Sequence, residues 1–489
     1  MHPDGRAAAV VVLAAGKGTR MRSATPKVLH TVAGRPLVEH AVRAAAGLDP
    51  QHLAVVVGYS KDTVTAHLEV VAAALGRTVD APVQSEQRGT GHAVSCALAV
   101  LPAELTGTVV VTCGDVPLLD TATLADLVAA HHRARHGVTV LSARLVDPAG
   151  YGRILRDPDG EVTAIVEHRD ATGQQQAITE INAGVYAFDA TVLRAALGRL
   201  GTGNSQGELY LTDVLGLARA AGRPVGAHRC ADPWLVEGVN DRVQLARLGT
   251  EYNRRLLEHW MRAGVTVVDP ASVWLDVDVE LAPDVVLHPG VQLLAGTRVG
   301  TGAVIGPDST LTACTVGPGA AVVRTHAVQA AIGERASVGP FAYLRPGSAL
   351  GTASKVGAFV ETKNTTLGAG AKVPHLSYVG DGTIGEGSNI GAATVFVNYD
   401  GVAKHRTTIG AHARTGADNM FVAPVTVGDG AYTAAGSVIT DDVPPGALAV
   451  ARGRQRNVEG WVARKRPGTP AAEAAAGAQQ DDPTDQERA

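Results

Sequence analysis

The sequence predicts two architectures in series: an α/β domain on a mostly parallel central sheet, then a parallel β-helix of hexapeptide repeats. Two observations carry this reading. Short β-branched runs alternate with longer helical stretches up to about residue 230, and beyond residue 265 aliphatic residues recur every six positions. At 489 residues the chain also exceeds what one hydrophobic core usually serves.

In the first part, VVVLA (10–14), LAVVVG (53–58), TVVVTCGDVP (108–117) and VTVLSARL (138–145) predict strands, with alanine-rich amphipathic segments between them as helices. This domain is assigned to residues 1–240. Leucines and charges at helical spacing, without an internal proline, predict a linker helix over 241–264.

From 265 to 465 the period changes. Val267, Val273, Val279, Val285 and Val291 form one six-residue ladder, and Leu275, Leu281, Leu287, Leu293, Val299, Ile305 and Leu311 form another. The pattern returns at Ile332, Val338, Leu344, Leu350 and Val356, and again at Ile409, Phe421, Val427 and Ile439. One aliphatic side chain per short strand fills a narrow prism, and the small residues beside it permit tight corners. The period breaks at 361–366 and 397–407, where loops are expected to leave the coil. The tail, 466–489, is rich in alanine, proline and acid and is expected to be disordered.

Charge excludes some functions. The 43 basic and 47 acidic side chains nearly cancel, leaving no broad positive field for nucleic acid or an anionic membrane. Neither a signal-peptide pattern nor a membrane-spanning apolar run is present, so a cytoplasmic protein is expected. The four cysteines, Cys96, Cys113, Cys230 and Cys314, lie far apart and are read as reduced, in mostly buried hydrophobic roles.

After the first strand, Gly16-Lys17-Gly18-Thr19-Arg20-Met21 and Pro26-Lys27 bring backbone N–H groups and cations into one short stretch suited to phosphate. A glycine-rich turn alone is weak evidence, and this one lacks the Walker spacing. Asp115 stands at the C-terminal end of a strand, the edge where open α/β sheets bind ligands. The whole string LAAGKGTRM…PK resembles the opening of the sugar-1-phosphate nucleotidyltransferases, followed by Gln84, Gly89-Thr90-Gly91-His92-Ala93 and Gly114-Asp115-Val116-Pro117-Leu118. Tyr151-Gly152-Arg153, Ile165-Val166-Glu167, Glu180-Ile181-Asn182, Glu208-Leu209-Tyr210 and Gly238-Val239-Asn240 narrow it to uridyltransferases that use N-acetylglucosamine 1-phosphate.

That resemblance implies a Rossmann-like nucleotidyltransferase domain in which Leu13, Ala14, Ala15, Gly16, Cys113 and Gly114 line the nucleotide site. It implies that Asp115 and Asn240 bind Mg²⁺, that Gln84, Gly89 and Thr90 read the uracil of UTP, and that Gly152, Glu167 and Asn182 hold the sugar. Arg20 and Lys27 would face phosphates. Mg²⁺ takes hard oxygen ligands and keeps waters, and it neutralises the charge growing on the phosphates, so no protein nucleophile is required.

In the second part, Arg345, Lys363, His375, Tyr378, Asn389 and Asn398-Tyr399-Asp400-Gly401, with Arg452 downstream, are polar points on an aliphatic scaffold. One histidine among 17 is weak evidence by itself. The segments LRPG (344–347), GAFVETK (357–363), PHLSYVGD (374–381), IGAATVFVNYDG (390–401) and FVAPVTVGDGA (421–431) resemble the acetyltransferase half of the bifunctional N-acetylglucosamine-1-phosphate uridyltransferase/glucosamine-1-phosphate acetyltransferase family. The resemblance implies a left-handed coil and His375 as the general base on the amine of glucosamine 1-phosphate. It implies that Arg345, Lys363, Tyr378 and Asn389 bind the sugar phosphate, and that Ala392, Asn398, Tyr399, Ala417, Ala435 and Arg452 run along acetyl-CoA. Ala417 stands where relatives usually carry serine, and Ala393 where the pattern puts glycine. The resemblance also implies a homotrimer whose sites are completed between subunits.

Two rival readings follow from the same architecture. One is a single-function nucleotidyltransferase with a structural or regulatory β-helix, against which His375, PHLSYVGD and NYDG argue. The other is a non-catalytic interaction protein, against which the joint presence of GKGTRM, Lys27, Asp115 and Asn240 argues.

Overall fold

The computed structural model describes residues 6–480. The chain divides into two compact units, one running to Ala336 and the other starting at Ser337.

The first unit opens with an eight-stranded sheet. Its main path is Val225–Arg229, Val138–Arg144, Glu180–Asp189, Thr108–Cys113, Ala9–Ala14 and His52–Val57, with Arg153–Arg156 and Val162–Val166 attached at the side. Along the main path neighbours pair in parallel except Glu180–Asp189, which runs antiparallel to both of its neighbours there; the two side strands also pair antiparallel. Helices cover both faces, so the strands read as unbroken apolar runs instead of alternating ones. Along the first strand Val10, Val12 and Ala14 pack with Val38, Val42, Leu68 and Leu124, while Ala9 and Val11 pack with Val94, Leu98, Leu193 and Val214. Because Ala9–Ala14 and Thr108–Cys113 are adjacent and parallel, the loops that follow them open on one sheet edge.

A helix over Arg242–Arg262 follows, capped by the Asp241 carboxylate, which accepts from the Gln244 N–H at 2.8 Å. Its buried Asn253 side chain donates to the Val273 carbonyl at 2.8 Å and accepts from the Leu275 N–H at 3.0 Å. One amide therefore joins this helix to the first β-helix coil.

The remaining strands form a left-handed parallel β-helix with three sheets. Leu275 stands beside Leu293 and Leu293 beside Leu311, so a full coil takes 293 − 275 = 18 residues, three six-residue sides. Both apolar ladders point inward: Val273, Val285, Val291, Leu287, Leu293, Ile305 and Leu311 are fully buried. In the second unit Phe396, Phe421 and Ile439 continue the interior, with the two rings edge to face at 5.5 Å. Corners are tight enough to hold non-glycine residues at positive φ, among them Ala295, Arg324, Phe359, Leu376, Ala393 and Asp418.

Two expectations are corrected. The segment 361–366 does not leave the coil: Glu361–Lys363 and Thr366–Leu367 are strands. Thr362 and Thr365 occupy the interior, where Thr362 bonds the Ser348 hydroxyl at 2.8 Å and Thr365 donates to the Val379 carbonyl at 2.9 Å. Satisfied hydroxyls let polar residues stand in the ladder. The tail is not structureless throughout, because Pro470–Gln480 forms a helix, and the expectation for 481–489 lies outside the described residues. The 397–407 segment does project, between strands Val395–Val397 and Thr407–Ile409.

Candidate active sites

The first site lies at the C-terminal edge of the sheet. After Ala14 the chain turns through Gly18, at φ 61°, where a Cβ would come within 2.5 Å of the Lys27 Cβ. Only glycine permits both the left-handed turn and this close approach. Lys27 then reaches the Asp115 carboxylate in an ion pair that is only 14% and 20% exposed. Asp115 also accepts the Val239 N–H on its backbone carbonyl at 2.9 Å, which brings Asn240 alongside, and Arg20 donates to Asn240 Oδ1 at 2.9 Å. Thus the strand ends and the 238–240 turn gather one carboxylate, one amide oxygen and two cations.

A cavity of about 250 Å³ is lined by Leu13, Ala14, Ala15, Gly16, Lys27, Gln84, Gly89, Thr90, Cys113 and Asp115, all of them residues singled out from sequence. Gln87 also lines it and was not singled out from sequence, and Glu208, quoted there only as part of a motif, lines it too. Gln84 is 5% exposed and donates to the Gly89 carbonyl at 3.0 Å, which fixes the amide's orientation. A Cβ on Gly89 would meet the Leu209 carbonyl at 2.6 Å. Gly114 passes over the first strand, its N–H bonded to the Leu13 carbonyl at 2.9 Å. Cys113 is free, and burial pushes its thiol up to about 12, which makes it an inert wall. Cys230 and Cys314 are free and buried; Cys96 is free but only partly buried.

A second cavity, about 420 Å³, contains Glu167, Asp170, Asn204, Tyr210, Thr212 and Asp213. Gly152 belongs beside it: a Cβ there would lie 3.4 Å from Glu167 Oε2 and 3.5 Å from the Asn182 Cβ. Burial raises the Glu167 carboxyl above its ordinary value; the Thr212 hydroxyl offsets this in part, and Asp170 and Asp213 add to it. Burial likewise raises Asp213. Gly152, Glu167 and Asn182 therefore lie close together.

The oxygens of the first cluster are of the kind a hard divalent cation takes. Asp115 and Asn240 offer two hard oxygens, and among the described residues no group of three or more His, Cys, Asp or Glu is placed to hold a metal. A two-ligand site leaves the remaining positions to phosphate oxygens and water, as Mg²⁺ prefers.

The other site lies on the β-helix of the second unit. Arg345 follows the buried Leu344, Lys363 the buried Thr362 and Gly380 the buried Val379, so these three form one outward row. Arg345 donates to Glu361 at 2.9 Å. Gly380 makes room in the row: a Cβ there would lie 2.5 Å from the Tyr378 hydroxyl and 2.7 Å from Asn398 Nδ2. Lys363 lies 3.9 Å from Asp381. The Lys404 ammonium, contact with which lowers the Lys363 pKa below its ordinary value, was not foreseen from sequence, and Glu361 was visible only within GAFVETK. Asp381 was visible only as the last residue of PHLSYVGD.

His375 ends the strand Lys372–His375 with its ring exposed, one corner away from Tyr378. Its carbonyl accepts from the Ser377 hydroxyl at 2.7 Å and the Ala393 N–H at 3.3 Å, so the backbone at the corner is fixed. Asn389 bridges to Lys372 in the same sheet. Ala392, Ala417 and Ala435 stack along one edge: the Ala392 carbonyl accepts the Asp418 N–H at 2.7 Å and the Ala417 carbonyl the Gly436 N–H at 2.9 Å. The Arg452 chain passes 3.9 Å from a Cβ on Gly436. Tyr399 is exposed on the projecting loop, its hydroxyl donating to the Gly401 carbonyl at 2.6 Å.

A cavity with a lysine and a carboxylate on an α/β sheet edge and a histidine-bearing cationic face on a β-helix together fit a nucleotidyltransferase fused to an acyltransferase. Residues 10–179 match the MobA-like NTP transferase domain. Proteins called "Bifunctional protein GlmU" from Mycolicibacterium vanbaalenii and Rhodococcus jostii are each 63% identical to the chain, over 96% of it and 95% of their own length. The one from Corynebacterium efficiens is 59% identical over 98% of both chains. The chain belongs to the GlmU family, and it is a bifunctional enzyme of UDP-N-acetylglucosamine synthesis with uridyltransferase and acetyltransferase activities.

Proposed function

We propose that the β-helix site acetylates glucosamine 1-phosphate with acetyl-CoA, and that the sheet-edge site then transfers UMP from UTP to the N-acetylglucosamine 1-phosphate formed, releasing pyrophosphate. The separation of the two residue sets into two compact units supports this reading, because each unit carries the residues proposed for one transfer.

At the sheet edge, Gln84, Gly89 and Thr90 hold the uracil, and Gly152, Glu167 and Asn182 hold the sugar. Asp115 and Asn240 hold Mg²⁺, which when bound neutralises charge on the reacting phosphates. Lys27 and Arg20, already paired with these two ligands, meet the phosphates as they enter.

On the β-helix, Arg345, Lys363, Tyr378 and Asn389 hold the sugar phosphate. His375 takes the proton that the amine loses as its nitrogen bonds the thioester carbonyl carbon; the C–S bond breaks and the CoA thiolate leaves. The exposed imidazole stands at a corner where amine and thioester can both approach it. Ala392, Asn398, Tyr399, Ala417, Ala435 and Arg452 follow the cofactor, Arg452 being suited to a CoA phosphate.

The working form is a homotrimer. Phe341 and Phe359 stack at 5.2 Å on successive corners, and with Leu376 they present an apolar stripe, each more than half exposed, next to His375. A second copy covering that stripe completes the site. The enzyme works in the cytoplasm on small molecules, in keeping with four free cysteines and with no helix, among the described residues, long and apolar enough to cross a membrane.

Two assays test this. CoA should be released only when glucosamine 1-phosphate and acetyl-CoA are both present, and pyrophosphate only when UTP, N-acetylglucosamine 1-phosphate and Mg²⁺ are together. Pyrophosphate without CoA would leave the β-helix a structural or regulatory domain.

A further inference from the structure

We propose that Asp381 is a positioning residue for acetyl transfer: it holds the loop over 398–406 at both ends, sets the direction of the Asn398 amide, and keeps Lys363 and Lys404 together. The inference rests on the β-helix site being the acetyltransferase site.

Asp381 is 8% exposed at a corner of positive φ, on the strand side of the row that carries Lys363. Its carboxylate accepts from Asn398 Nδ2 at 2.5 Å, where the loop starts, and its backbone carbonyl accepts the Thr407 N–H at 3.3 Å, where the loop ends. A third bond, from Asn364 Nδ2 at 2.8 Å, holds the carboxylate from the opposite side. One residue thus closes the base of an excursion that carries Asn398, Tyr399 and Lys404.

Chemistry fixes the amide's direction. An ionised carboxylate only accepts, so Asn398 must turn its NH₂ inward and its oxygen away from Asp381. That oxygen is then the acceptor the loop offers to an incoming amine or CoA group. The same carboxylate lies 3.9 Å from the Lys363 ammonium, which faces two other cations, Lys404 and Arg345. Lysines this close repel each other, and a buried negative charge beside them allows both to stay protonated for a phosphate.

The test uses the full-length protein with acetyl-CoA and glucosamine 1-phosphate, comparing wild type, Asp381→Asn and Asp381→Glu. Wild type must release CoA; if it does not, the acetyltransferase reading fails and not the role of Asp381. In Asp381→Asn two amides face each other and the loop loses its anchor, so kcat/KM for glucosamine 1-phosphate should fall by up to about 100-fold, the effect of a displacement near 1 Å. Uridyl transfer by the same chain should persist. The alkaline limb of kcat/KM should also move to lower pH, because the lysine pair loses its neutralising charge. Asp381→Glu keeps a carboxylate at the position, so it should lose less activity and hold the limb near that of wild type. If Asp381→Asn unfolds, Asp381→Glu decides alone: a folded variant that keeps the wild-type limb supports the role. Wild-type kinetics and pH profile in Asp381→Asn, or a folded Asp381→Glu whose alkaline limb has moved away from that of wild type, would overturn it.

Discussion

At the scale of single residues, the two sites set their key groups in different surroundings. Near the sheet edge, burial and neighbouring carboxylates hold Glu167 partly against ionisation, whereas on the β-helix His375 is exposed. Because the folded protein raises the Glu167 pKa above its ordinary 4.5, the stability tied to the protonated form is complete below that value and is lost as pH rises. Glu167→Gln should therefore melt higher than wild type at pH 7, with the gap closing toward pH 4, while uridyl transfer falls; an unchanged or lower melting point at pH 7 would contradict the burial argument. His375→Ala should lower acetyl transfer by about 10²- to 10⁴-fold, the range of a general base, without loss of CoA binding. Near wild-type turnover in that variant would remove His375 from the mechanism.

At the scale of elements, two helices are held to the sheet domain by buried neutral histidines. His131 on Thr121–Ala134 bonds the Thr139 hydroxyl at 2.9 Å, and His40 on Leu37–Ala46 bonds the Val32 carbonyl at 2.9 Å and packs on Tyr252. Burial lowers both from 6.5 to about 4; around His131 the neighbours His132 and His136 add to this and Asp189 opposes it. Below 6.5 the unfolded chain takes up protons the folded one refuses, so this stability is whole above pH 6.5 and drains away toward pH 4, at about 1.4 kcal/mol per pH unit for each group. His131→Gln should flatten the fall in denaturation midpoint over that window. An unchanged slope would mean the group does not titrate with folding.

Elements also show what was legible in the sequence. The β-helix was readable because each side of the coil sends one aliphatic residue inward, and a period of six admits few other structures. The 361–366 segment was misread because Thr362 and Thr365 interrupt that ladder in sequence but not in space, their hydroxyls being satisfied inside the coil. Much of the sheet-edge cavity was legible because its residues cluster in short motifs, as 13–16 and 89–90 show. Lys404 and the contacts made by Glu361 and Asp381 were not, since outward polar residues on a coil carry no period and meet only through chain segments that lie 16 to 41 residues apart in sequence, as Glu361 with Arg345 and Lys404 with Lys363 show.

At the scale of the whole molecule, the central claim is that one chain runs two independent transfers in sequence. The measurement that tests it most directly follows UDP-N-acetylglucosamine from glucosamine 1-phosphate, acetyl-CoA, UTP and Mg²⁺, using Asp115→Ala and His375→Ala separately and mixed. Each variant alone should make almost no product, the first accumulating N-acetylglucosamine 1-phosphate and the second leaving glucosamine 1-phosphate unconsumed, and the mixture should restore synthesis. A mixture that stays inactive while both proteins remain folded, or an Asp115→Ala variant that has lost acetyl transfer as well, would contradict the account.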